Sequence, residues 1–144
     1  MKNKGFSLVE LIIVIAIMAI LAAAIAPALI RYIDKSRKAD DLAAAETINT
    51  AVSAALANED AYSEVASVMD GSTTIISANG GTAFSGSYTT FLGEVNSSVG
   101  GTAPKVKYTK DNNTQWKVMI STNGKPVVMK GSVELQPEID NSYK

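Results

Sequence analysis

Cysteine and histidine are both missing from the 144 residues. Their absence excludes disulfides, thiol nucleophiles, Cys/His zinc sites and Ser-His-Asp catalysis together. It leaves the redox compartment open. Charge of either sign is also scarce in excess: 13 basic against 14 acidic side chains give a formal net charge of −1, so there is no global pull toward nucleic acid. No Gly-rich phosphate loop, EF-hand order or nucleophile elbow occurs. The expectation is a non-enzyme with no cofactor and no metal.

What the chain does have is apolar residues, 47% of the total, concentrated at its head. Leu11 to Ile30 is twenty residues without a charge. At about 1.5 Å per helical residue this run spans roughly 30 Å, the thickness of a bilayer's hydrocarbon core. A buried core helix is rarely apolar for so long. A secretory signal peptide is the other candidate, and AAAIAPA supplies small residues for a cleavage site. Glu10 argues against it. A carboxylate beside a membrane span costs free energy unless it is protonated, exposed at the interface or paired. Cleavage after Gly5 would create an amine on Phe6, four residues from Glu10.

The stretch KGFSLVE followed by this run resembles the prepilin cleavage and assembly motif of type IV pilins and related pseudopilins. Gly5, Phe6 and Glu10 match its positions. The resemblance implies that a prepilin peptidase cuts after Gly5 and methylates the Phe6 amine, and that Glu10 of one subunit pairs with Phe6 of a neighbour. Such a pair in a dry filament core favours one axial stagger over others. Removing Lys2 and Lys4 leaves 11 basic against 14 acidic side chains, or −3. The motif implies that the leader lies inside, whereas Arg31, Lys35, Arg37 and Lys38 make the second flank the cytoplasmic one by charge count. Pro27 stands where the family has a proline and is expected to kink the helix, since it lacks an N–H and crowds the carbonyl of Ala23. Ala19 replaces the glycine many members carry, which favours an intact helix there.

Beyond the span, Ile48, Val52 and Leu56 recur every four residues with Ala45 and Ala55 beside them, predicting a continued helix with one apolar stripe. Asn58 and Gly71 are positioned to cap and end a further short helix. GSTTIISANGGTAFSGS reads as loop. Tyr88, Phe91, Leu92 and Val95 have helical spacing. The tail then changes to a period of two: PKVKYT, TQWKVMIS, PVVMK and SVELQPEI, with KDNN and TNGK as turns, predict antiparallel strands. Trp116, Val118, Ile120, Val133, Leu135 and Ile139 are assigned to the face turned toward the helix stripe. Helix first and sheet after is an α+β order; the resemblance implies the same pilin-like order. The expected organisation is a leader at 1–5, a transmembrane and filament-core helix at 6–30, and a globular unit at 31–144. Within that unit the helix runs to about 58, a loop region covers 59–103, and the sheet covers 104–139.

The remaining signals are weak. Residues 104–130 hold six lysines and one acid, read as a solvated basic face; DNA or surface binding by a filament is the alternative, since many copies raise weak affinity. Asp111-Asn112-Asn113 and Asp140-Asn141 offer oxygens of the kind calcium takes, and also make ordinary turns. Asn112-Asn113-Thr114 fits a glycosylation acceptor. The expected function is a structural subunit of a type IV pilus, a homopolymer built with a prepilin peptidase and an inner-membrane assembly platform. The subunit would reside in the membrane before assembly and in an extracellular pilus after it. The alternatives are a pseudopilin of a secretion or competence system and a membrane-anchored binding domain.

Overall fold

A computed structural model describes residues 5–144, which fall into two compact units, one ending at Ser36 and one running Arg37–Lys144. Helix α1, Leu8–Leu56, contributes residues to both. In the first unit the helix passes through Pro27 without interruption. Every residue from Gly5 to Ile33 is exposed, including Leu11, Ile12, Ile15, Ile20 and Ile25. Each such side chain gains about 1.5–3 kcal/mol when removed from water, so this apolar surface calls for lipid or other protein.

The second unit is α+β. Its part of α1 buries Asp41, Ala45, Ile48, Ala51, Val52 and Ala55, one side of the helix at steps of three and four. Alanines on that side let the sheet approach closely. Helix α2 (Glu59–Val65) starts at Asn58, whose side-chain oxygen accepts the N–H groups of Asp60 and Ala61. A 3-10 turn follows at Ala66–Val68. Gly71 lies three residues past it in a turn with φ 77°, so it shapes the exit and does not cap the helix. Strands β1 (Ile76–Asn79) and β2 (Ser85–Gly86) precede helix α3 (Thr89–Ser98). Strands β3 (Gln115–Ile120), β4 (Pro126–Lys130) and β5 (Val133–Gln136) complete the sheet.

The five strands run in the order β2-β1-β3-β4-β5 with every neighbour antiparallel. Opposite residues are Ala78 and Trp116, Ile76 and Val118, Val118 and Val128. Trp116, Val118, Ile120, Val128 and Leu135 are buried together with the α1 stripe, Phe91 and Val95. Val133 is only partly buried, and Ile139, expected on the inner face of the last strand, lies beyond β5 and is 37% exposed.

Two segments exchange the roles expected of them. TIISAN, read as loop, supplies β1. Its surroundings are rich in glycine because chains approach closely there: a Cβ on Gly80 would stand 2.7 Å from the Val106 nitrogen, and one on Gly86 would stand 2.6 Å from the Ile75 oxygen. PKVKYT, expected as the first strand, is not one. Its backbone groups bond elsewhere: Lys107 and Tyr108 donate their N–H groups to Asp41 at 2.7 and 3.2 Å, and the Pro104 carbonyl accepts the Trp116 indole N–H at 2.8 Å. Side chains thus satisfy the backbone that a ladder would otherwise have to satisfy.

Candidate assembly site and buried ionic cluster

Met1 to Lys4, the part of the expected leader before Gly5, lie outside the described residues. Gly5 has open space where a side chain would stand, and Phe6 is 81% exposed. Glu10 occupies the first turn of α1. Its Oε2 accepts the Ser7 N–H at 2.9 Å, while the Ser7 carbonyl accepts the Leu11 N–H at 3.2 Å. The pattern Ser-x-x-Glu turns the carboxylate back on its own helix start, where unpaired N–H groups and the helix dipole favour negative charge. Cleavage after Gly5 would free an amine one residue before the N–H that Glu10 already holds. Gly5, Phe6 and Glu10 therefore gather at one end of an exposed apolar helix, and Pro27 lies well along it.

A second constellation was not singled out from the sequence. Lys130 and Asp41 are both fully buried, with Nζ 3.3 Å from Asp41 Oδ2. The same amine donates to Asp111 Oδ2 at 3.0 Å, to Tyr143 Oη at 2.5 Å and to the Tyr108 carbonyl. Tyr143 Oη in turn donates to Asp41 Oδ2 at 3.4 Å. Burial, and next the Asp41 carboxylate, push the Tyr143 phenol well above its usual range, so it stays a donor. Lys38 donates to the Ser142 carbonyl at 2.6 Å and stands over the rings of Tyr108 and Tyr143. Helix, sheet, the segment 104–111 and the chain end thus meet on one amine. The available signal was Lys130 itself: it shares strand parity with Val128, so the alternation that turns Val128 inward turns a lysine inward too.

The turns weighed as calcium ligands have other duties. Asp111 accepts the Asn113 N–H and pairs with Lys130, and Asp140 accepts the Ser142 N–H. Among the described residues no three His, Cys, Asp or Glu side chains cluster to hold a metal.

Residues 1–26 match the family model for the prokaryotic N-terminal methylation motif. The chain carries the signature of type IV pilins and pseudopilins, a structural class. No solved structure matches the chain.

Proposed function

We propose that this protein is a structural subunit of a type IV pilus, cut after Gly5, methylated on Phe6 and polymerised through its N-terminal helix. The observation that carries the reading is the matched motif at the head of a helix whose apolar surface is exposed as far as Ile33. Copies of the same helix are the natural cover for that surface. In their dry interior Glu10 would exchange its own Ser7 N–H for the amine of a neighbour's Phe6, and Pro27 would be the place where the helix bends or opens. Partners in this reading are further copies of the chain, a prepilin peptidase and an inner-membrane assembly platform. The filament would stand outside the cell, with unassembled subunits in the membrane.

A pseudopilin of a secretion or competence system shares the motif and is the second reading. N-terminal mass spectrometry of the native protein tests the processing step. A chain beginning at methylated Phe6 is the expected result, and a chain beginning at Met1 overturns the reading. Recovery of that chain in sheared surface filaments supports the pilin; retention in the cell envelope supports the pseudopilin. DNA binding by such filaments rests only on Lys105, Lys107, Lys110, Lys117 and Lys125, since Lys130 is buried in the ionic cluster.

A further inference from the structure

We propose that Lys130 and Asp41 condense spontaneously into an amide, a covalent cross-link between α1 and β4. Amine and carboxylate meet at 3.3 Å with both side chains at 0% exposure. The 3.3 Å runs from Nζ to Oδ2, one bond from the carbon to be attacked; holding amine and carboxylate together in this way makes their reaction effectively unimolecular. Lys130 and Asp41 themselves have no exposed surface, while Asp111 beside the amine is 26% exposed. A buried ion pair carries a desolvation cost on both partners, and condensation replaces the two charges by one neutral amide.

The surrounding groups match the needs of the reaction. Asp111 Oδ2, 3.0 Å from the amine, takes one ammonium proton and frees the nitrogen lone pair. Nζ then attacks Cγ of Asp41. Negative charge gathering on Oδ1 is met by the Lys107 N–H, already donating at 2.7 Å; a fixed donor at such an oxygen stabilises a tetrahedral intermediate. Tyr143 Oη contacts both Nζ, at 2.5 Å, and Asp41 Oδ2, at 3.4 Å, so it can relay a second proton from nitrogen to the departing oxygen. The proton held by Asp111 completes the water. One N–C bond forms, one C–O bond breaks, and ammonium plus carboxylate become amide plus water with no oxidant or reductant. In a chain without cysteine, the bond would tie the helix to the fourth strand of the sheet. The inference stands apart from the assembly reading, because every participating group lies in the second unit.

The test is the intact mass of the full-length protein, denatured before measurement, together with a peptide map. The expected wild-type mass is lower than the sum of its residues by one water, with a branched peptide joining Lys130 to Asp41. Lys130→Arg has no primary amine at that place and should keep the full mass. Asp111→Asn should accumulate unreacted chain. An unreacted mass in the wild-type protein overturns the proposal even if a variant fails to fold. So does a missing water that persists in Lys130→Arg, and wild-type extent of reaction in Asp111→Asn removes Asp111 from the mechanism.

Discussion

Glu10 and Asp41 are both helical carboxylates with backbone N–H partners, yet their surroundings give them opposite work. Glu10 is exposed and, among the described residues, holds the Ser7 N–H of its own helix end; Asp41 is buried and joins α1 to two other parts of the fold. Glu10→Leu should therefore leave the membrane pool and the fold intact, since it makes the span more apolar, while filament yield falls steeply when it is the only subunit in the cell. Wild-type numbers of sheared filaments would remove Glu10 from assembly. Asp41→Ala should do the reverse and act on folding. Removing one member of a buried pair typically costs about 3–5 kcal/mol, and here two backbone N–H groups also lose their acceptor. Chemical denaturation of the purified protein checks it, with an unchanged midpoint as the contrary result.

At the scale of elements, polar side chains fix how several short pieces begin: Asn58 caps α2, and carboxylates serve elsewhere. Tyr88 at the start of α3 gives no side-chain cap, so Glu64 of α2 supplies it: Oε2 accepts the N–H groups of Thr90 and Phe91 at 2.9 and 3.0 Å. The Phe91 N–H, then the Thr90 hydroxyl, hold Glu64 below its ordinary value. The Thr73 N–H, followed by that of Ser72, lowers Asp70 further, and the Ser142 N–H lowers Asp140. Each of these groups has a folded value below its unfolded one. Its contribution is therefore fully present above the unfolded value and disappears as pH falls through the folded one. The melting temperature should begin to fall below about pH 4.5, the ordinary value for Glu64, and Glu64→Gln should flatten part of that fall. An identical acid limb in the variant would show that the cap is not a titrating contact. Phe91, which the cap delivers to the core, is fully buried; Phe91→Ala should cost roughly 3–5 kcal/mol, read as a shift of the denaturation midpoint.

For the whole molecule, the buried core of the described residues lies within Arg37–Lys144, whereas the described head, Gly5 to Ile33, buries none of its side chains. A chain beginning at Ala28 should accordingly be monomeric, free of detergent and cooperative in unfolding. Trp116, fully buried with its indole N–H held by Pro104, reports on it. Its fluorescence should be that of a shielded indole, shifting to the red on denaturation; a solvent-like spectrum before denaturant is added would contradict the packing of β3 on α1.

What the sequence by itself determined follows from strong local periods and a contiguous motif. Twenty uncharged residues, the KGFSLVE head, the four-residue stripe through Ile48 and Val52, and the alternation around Trp116 and Val118 each reside in one short stretch and need no distant partner to be read. Only the tertiary structure decided that TIISAN is a strand and PKVKYT is not. The first gains its hydrogen bonds from β3, and the second loses its strand role to a carboxylate on α1, sixty-six positions from Lys107. Lys130 is the same lesson in one residue. Strand parity turns it inward, but an inward lysine is stable only because Asp41, Asp111 and Tyr143 arrive around it from three separate parts of the chain. Local pattern records which way a side chain points; what waits there depends on contacts between segments that no local period encodes.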